Sequence, residues 1–341
     1  MPPIATQAVR LALPAALLAL LAGCASTPAD APPEPRALPP EIELGEVTDR
    51  GAAAMERAQR LSGEGLTRSA LAEFERAIAI NPTLTPAYIG AGAIYAERGE
   101  HADAERRYRR AAELEPRNFD AQFGHGLALQ MLGRFADSVR AYLAALSVRP
   151  GDFDANLNVA TAYLRLGEPR QALPYARTAV RLQPGNAPAR VTLGSVFASL
   201  GRHGEAVVEY QQAAESMELT PELLLSLADN LGRTGRHEEA AATLEELIRT
   251  DASAPAYERL GSSRFRLRQY AEAERAFRSA IELDPRHYPA LNGLAVCRLN
   301  DHLWSDRADR GALMEARELM RQSLRIERNQ PQIVELMTRY R

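Results

Sequence analysis

Glycine returns every 34 residues along this chain, at Gly65, Gly99, Gly133, Gly167, Gly201 and Gly235. Chance does not space six of 22 glycines evenly in 341 residues. Proline keeps the same period in another phase at Pro82, Pro116, Pro150 and Pro184, and returns at Pro285 after one unit shortened by a residue. Alanine supplies a third phase at Ala70, Ala104, Ala172, Ala206 and Ala240, with Ser138 in the gap. Length alone would suggest two or three globular domains. A repeat of this length overrides that count, because self-similarity at such a period is the signature of stacked supersecondary units.

The three phases define one unit. Glycine after a helix takes the left-handed conformation that closes it without a Cβ penalty. A short turn follows, and then an acidic residue, Asp103, Asp137, Glu205 or Glu239, in the first turn of a second helix, where the helix dipole favours negative charge. That helix carries apolar residues at helical spacing, as in Ala104, Tyr108 and Ala111, and stops just before Pro116. Each unit therefore reads as a helix hairpin, with small Ala residues at fixed phase where the two helices approach. A larger side chain there would overpack by roughly 1 to 3 kcal/mol.

A 34-residue helix-turn-helix with this Gly, Ala and Pro phasing resembles the tetratricopeptide repeat. The resemblance implies an all-α fold, a right-handed superhelix of about eight hairpins spanning 48–329. The repeats run 51–84, 85–118, 119–152, 153–186, 187–220, 221–253, 254–287 and 288–329. Departures fall late in the chain: Glu218 and Ala252 stand where Pro is usual, and Arg268 replaces the helix-ending Gly. The eighth repeat carries about nine extra residues around Asn300 to Gly311. After Pro331, the residues Ile333, Leu336, Met337 and Tyr340 share one face opposite Glu335 and Arg339, which predicts a capping helix within 330–341.

In such superhelices the first helices line a concave groove suited to an extended peptide or a partner helix. The family's groove-facing positions are the second, fifth, ninth, twelfth and thirteenth of each unit. In repeats two to five they fall on Ile89, Phe123, Leu127, Met131, Leu157, Leu164 and Val191, with only Glu97, Asp120, Asp154 and Arg165 charged. In repeats six and seven they fall on Glu222, Asp229, Arg233, Glu258 and Arg266. The expected binding site is the apolar stripe of repeats two to five. The carboxylate clamp of chaperone-binding members, with Lys at the fifth position and Asn at the ninth, has no counterpart, and the chain contains no lysine at all.

The amino terminus reads as an address. Residues 1–10 carry one charged side chain, Arg10, and Leu11 to Leu21 form an apolar run too short to span a bilayer, the shape of a secretory signal peptide. The run ends in Leu21-Ala22-Gly23-Cys24, which resembles bacterial lipoprotein signals. That resemblance implies cleavage after residue 23 and lipidation of Cys24. With Ala25 rather than Asp following, it also implies export to the outer membrane of a Gram-negative cell, facing the periplasm. Residues 24–47 then read as a tether, since Pro28, Pro32, Pro33, Pro35, Pro39 and Pro40 favour extended polyproline II. Fully extended, such a tether reaches on the order of 70 Å.

Several chemistries are excluded on residues. Arg and Lys total 41 against 44 Asp and Glu, so no basic face calls for nucleic acid. Cys24 and Cys297 lie in segments too different to suggest a bridge, and Cys297 reads as a small buried hydrophobe. His101, His203 and His237 share one repeat phase, where Phe135 and Tyr270 sit in other units, and read as packing residues rather than metal ligands. His237-Glu238-Glu239 lacks the second His of a zinc-protease helix, because position 241 is Ala. Gly90-Ala91-Gly92 lacks the third glycine of a dinucleotide loop, and no Gly-x-Ser-x-Gly elbow or phosphate loop occurs. Neither catalysis, nor a cofactor, nor a small-molecule substrate is expected.

What remains is a protein-binding role. A lipid anchor joined to such a superhelix is similar to the outer-membrane lipoproteins that assist pilus secretins in type IV and Tad systems. The alternative is a scaffold that docks envelope enzymes, such as peptidoglycan hydrolases or proteases, or supports exopolysaccharide export. Trp304, the only Trp, sits among the extra residues of the eighth repeat. Of two roles, a partner contact on a protruding loop or a plug over the end of the stack, the plug is the expected one.

Overall fold

The structure is a computed structural model that describes residues 44–305 and 308–340. The expected lipidation site, Cys24, and nearly all of the expected tether lie outside the described residues. The described chain is an unbroken series of α-helices. They pair as α1 (Leu44–Gly63) with α2 (Thr67–Ile80), α3 (Thr85–Glu97) with α4 (His101–Leu114), and α5 (Phe119–Met131) with α6 (Phe135–Val148). Then follow α7 (Phe153–Arg165) with α8 (Pro169–Leu182), α9 (Ala187–Ser199) with α10 (His203–Ala214), and α11 (Pro221–Arg233) with α12 (His237–Thr250). The last pairs are α13 (Ala254–Arg266) with α14 (Tyr270–Leu283) and α15 (Tyr288–Trp304) with α16 (Arg310–Ile326), followed by α17 (Pro331–Arg339). The first helix begins at Leu44, inside the stretch expected as tether.

The turns of the first six hairpins are closed by the periodic glycine. All six have φ between 72° and 79°. In the third unit, Arg134 N donates to Leu129 O and Gly133 N to Gln130 O, both at 2.9 Å, which satisfies carbonyls that a helix end would otherwise leave bare. The seventh unit makes the same turn without glycine. Arg268 sits at φ 61° while Gln269 N still reaches Arg264 O at 2.9 Å. Between units, the residue two after Pro116, Pro150 and Pro184 caps the next first helix. Asn118, Asp152 and Asn186 accept from the amides of Ala121, Ala155 and Ala189 at 3.1, 2.9 and 3.0 Å.

Hairpin spacing is set by rings lying on bare helix. Tyr142 of α6 covers Gly126 of α5 so closely that a Cβ there would lie 2.5 Å from the ring. Tyr210 of α10 does the same at Gly194, at 2.7 Å. Tyr108 and Phe277 each wedge between two first helices, Tyr108 against Gly92 and Gly124 and Phe277 against Gly261 and Gly293. Where the second helix carries Ala176 or Leu244 instead of a ring, the facing first-helix residue is Ala160 or Ala228. The periodic alanines, with Ser138, are wholly buried. Ser138 fits because its hydroxyl donates to Phe135 O at 2.8 Å.

First helices touch their counterparts in the next unit, α1 with α3, α3 with α5, and along the series from α7 to α15, while the second helices make no comparable contacts among the described residues. The first helices therefore lie on the inner side of the curve. In the eighth unit the extra residues lengthen both helices to 17 residues instead of forming a long loop. The α17 helix then shields the end, with Ile333, Leu336, Met337 and Tyr340 against Ala295, Leu299, Ala316 and Met320.

Two substitutions test this account. Left-handed backbone costs a side-chain-bearing residue about 1–2 kcal/mol, so Arg268→Gly should raise the denaturation midpoint. Gly126→Ala should lower it, since overpacking of about 1–3 kcal/mol exceeds the gain of about 1 kcal/mol in helix propensity. Paired urea titrations followed by circular dichroism measure both, and an unchanged Gly126→Ala midpoint would contradict the ring-on-glycine account.

Candidate functional site

The inner face divides by chemistry. In repeats two to five the expected groove residues are only partly available. Phe123 is half-buried, stacked on Phe119 with ring centroids 5.5 Å apart and tilted against Tyr142 at 5.7 Å. Ile89 packs on the cluster that includes Tyr88 and Ile94, and Leu164 and Val191 pack beside Leu193 and Tyr210. Leu157 is half-buried. Leu127 and Met131 are the open members, 37% and 61% exposed. They sit one helical turn apart on α5 and form the accessible apolar point of this half.

A concavity of different character lies at the other end. A cavity of about 1070 Å³ is lined by the groove positions of repeats six to eight and closed by α17. Asp229 and Arg233 come from α11, Glu258 and Arg266 from α13, Asn292 and Val296 from α15, and Gln330, Ile333 and Leu336 from the capping helix and its lead-in. Arg259 Nε pairs with Asp229 at 2.5 Å, and Ser262 Oγ donates to Glu258 at 2.9 Å. Asn292 Nδ2 donates to Gln330 at 2.7 Å, while its Oδ1 is buried without a partner. Gln330 is itself held by Ser323 and the Glu327 carbonyl. The sequence rule marks Asp229, Arg233, Glu258 and Arg266. Extended to the eighth unit it also marks Pro289, Asn292 and Val296, but no repeat rule reaches the wall that α17 supplies.

The expectation that Trp304 plugs the stack is corrected. Its ring is 73% exposed, with Nε1 donating to Asn300 at 2.8 Å and one face tilted toward Tyr270 at 6.3 Å. The added turn of α15 carries Trp304 to the exposed end of that helix, and the plugging falls to α17. Tyr270 in turn meets Phe265, a residue of the cavity wall, edge-on at 5.2 Å.

The remaining titratable groups serve the scaffold. Cys297 is buried, and burial, followed by Glu274 and Asp301, pushes its thiol up to about 12, which leaves it protonated and inert. His203 Nδ1 lies 2.8 Å from Asn230 Oδ1 and ties α10 to α11, whereas His237 lines the cavity. Among the described residues, no three His, Cys, Asp or Glu side chains gather as a metal site. His125 faces the buried Glu105 at 3.3 Å, with Arg109 and Arg134 on the same carboxylate. Burial holds the His125 imidazole below its ordinary value, only partly offset by Glu105.

Helix hairpins of this length, closed by left-handed glycine and wedged by rings on small residues, define a solenoid of stacked repeats. Two tetratricopeptide-repeat family profiles match residues 45–192 and 254–287, together more than half of the chain. The chain belongs to the tetratricopeptide-repeat proteins. Among solved structures it resembles a tetratricopeptide repeat protein from Parabacteroides merdae, at 16% identity and TM-score 0.50, covering 73% of this chain and 99% of that one. It also resembles pilF of Pseudomonas aeruginosa, at 19% identity and TM-score 0.51 over 62% and 97% of the two chains. A chain of the APC/C hetero-tetramer Cut9–Hcn1 matches at 18% identity and TM-score 0.52, over 80% of this chain and 52% of that one. At these identities the likeness is one of fold. No curated protein matches the sequence.

Two measurements check the site. Trp304 should emit at water-like wavelengths and be quenched freely by iodide. A blue-shifted, protected emission would restore the plug. Because the folded state resists protonating His125, the unfolded chain binds more protons once pH falls below the ordinary imidazole value near 6.5. Stability contributed by His125 is complete above that value and declines below it. His125→Gln should therefore flatten the loss of melting temperature between about pH 7 and pH 5.

Proposed function

We propose that this protein is a lipid-anchored adaptor of the Gram-negative outer membrane, facing the periplasm and holding partner proteins while an envelope machine, a pilus or secretion system, is assembled. The observation that carries the binding half of this reading is the continuous inner face of the first helices, with the exposed Leu127 and Met131 in one half and an open cavity in the other. The anchoring half rests on Leu21-Ala22-Gly23-Cys24 closing a short apolar run. A proline-rich stretch between anchor and first helix suits a protein that must reach a partner away from the lipid surface. The reading assigns no catalysis to the inner face, whose polar side chains meet one another as ion pairs and hydrogen bonds.

The test has two arms. Mass spectrometry of the mature protein should find an acylated amino terminus at Cys24, and Cys24→Ser should leave the membrane fraction. An intact peptide crossing residues 20–30 would refute the anchor. In pull-downs from outer membranes, Leu127→Glu with Met131→Glu should weaken capture of the partner tenfold or more, since burying one such side chain typically contributes about 1.5–3 kcal/mol. Both side chains are exposed, so melting should stay unchanged. Phe123 is a poorer probe, because its ring is shared with the Phe119 and Tyr142 packing. Genes for a secretin and pilins beside this one would favour the assembly role, and wall hydrolases would favour docking of envelope enzymes.

A further inference from the structure

We propose that the outer end of the stack, the crevice between α16 and α17, docks an amphipathic helix of a partner protein that carries carboxylates beside its apolar residues. This rests on the adaptor reading and adds a second contact, away from the inner face.

Shape is the first argument. The α17 helix is nine residues long, where the first helices of units two to seven have thirteen. A crevice of about 450 Å³ stays open between it and α16. Ile333 and Leu336 of α17 line the inner trough, whereas Val334, Met337 and Thr338 line this crevice, so the two openings lie on different faces of α17. On α16, Met314, Arg317, Arg321 and Leu324 follow one another at intervals of three, four and three residues. That spacing aligns side chains in one seam, the pattern along which a second helix packs knobs into holes. Met314 is 69% exposed and Val334 48%, so apolar surface stands open on both helices. A lipid surface would meet the arginines but leave the crevice unfilled, whereas the side chains of a helix can enter it.

Charge is the second. Arg317 and Arg321 line the crevice, and no acid among the described residues does. Arg317 Nε donates to the Tyr340 carbonyl at 2.6 Å, a neutral acceptor. Arg321 pairs with Glu318 at 3.0 Å on the flank, and Arg325, one turn further on, is exposed and makes no ion pair among the described residues. The other acids of these helices are engaged elsewhere. Glu315 pairs with Arg278 and Arg298, Glu335 pairs with Arg339, and Glu327 lines the inner trough. One carboxylate therefore stands against three guanidinium groups on this face, in a chain whose net charge is -3. A helix with acids beside its apolar seam supplies the missing charge, a basic one is repelled, and a neutral one covers guanidinium groups without pairing them.

The probe is a labelled three-heptad helical peptide with Leu along its seam and Glu flanking it, titrated by fluorescence anisotropy against the full-length chain, beside versions with Gln or Lys at the flanks. The Glu peptide should bind in a salt-sensitive way, and the Gln peptide about tenfold more weakly. Arg321→Glu with Arg325→Glu should weaken the Glu peptide at least about tenfold and turn the preference toward the Lys peptide. The milder Arg321→Gln with Arg325→Gln should lose affinity in the same direction. Met314→Gln with Val334→Gln should weaken the Glu and Gln peptides alike, about tenfold. All four positions are exposed, so the melts should stay unchanged. Arg233→Glu with Arg266→Glu, on the inner face, should bind as wild type. Equal binding of the Glu and Lys peptides, full affinity in the Arg321 and Arg325 variants, or loss in the Arg233 and Arg266 variant overturns the proposal. So does binding to phosphatidylglycerol vesicles, or association of the chain with itself, that is lost in the Arg321 and Arg325 variants while no peptide binds. If the proposal falls while Leu127→Glu with Met131→Glu still abolishes partner capture, the adaptor reading stands alone. If no variant on either face alters capture, the adaptor reading falls as well.

Discussion

The spacing of most hairpins in this solenoid depends on one contact, an aromatic ring of a second helix laid on a first-helix residue that has almost no side chain. The ring brings the two helices of a hairpin together and, at Tyr108 and Phe277, also touches the first helix of the next unit. One side chain thereby fixes both the spacing within a hairpin and the pitch between hairpins. Glycine inside a helix costs about 1 kcal/mol in propensity, and it is tolerated at Gly92, Gly124, Gly126, Gly194, Gly261 and Gly293 because the ring occupies the space that a Cβ would take. Where the second helix offers Ala176 or Leu244, alanine returns to the first helix. At Gly92, Gly126, Gly194 and Gly261 the pairing is a size complementarity, ring against glycine, in units whose sequences otherwise differ.

With pitch fixed this way, the inner face becomes a display surface whose chemistry can vary without disturbing the stack. In the N-terminal half the displayed residues are apolar, and most turn sideways to pack on a neighbour, so that Leu127 and Met131 carry the accessible surface. In the C-terminal half the same register displays Asp229, Arg233, Glu258 and Arg266, which form a polar trough instead of packing together. Polar groups there are organised by short-range pairing, Arg259 with Asp229 and Asn292 with Gln330. The cavity is bounded at one end by α17, and α17 is there because the last repeat must bury an apolar face that no further repeat covers.

Strain and irregularity gather in the same C-terminal part. Arg268 holds a left-handed turn that glycine holds elsewhere, and the extra residues of the eighth unit lengthen two helices. The lengthened α15 carries Trp304 to an exposed end beside Tyr270 and Phe265, which places an aromatic edge next to the cavity. The buried groups away from the groove, Glu105 with His125 and the protonated Cys297, belong to the packing of the helices and do not face the trough.

The sequence by itself determined the hairpin unit, its period, the left-handed turns and the buried alanine phase. Each of these is a local requirement that recurs, a helix stop or a close approach, and recurrence makes a local requirement visible in one dimension. It also marked Arg268 as the exception, and the backbone carries the consequence. What only the tertiary structure decided is how much of each side chain remains to meet a partner. Phe123 and Leu127 are both groove residues by register, yet one is absorbed by Phe119 and Tyr142 and the other is left open, because the rings that surround a position come from other turns and other helices. The cavity was hidden for the same reason. Its walls join Arg233, Arg266, Asn292 and Leu336, residues up to about a hundred positions apart, and no periodic pattern reports how the last repeat and its cap close around them. The exposure of Trp304 likewise followed from added helical turns, which carry a side chain beyond the layer that would have buried it.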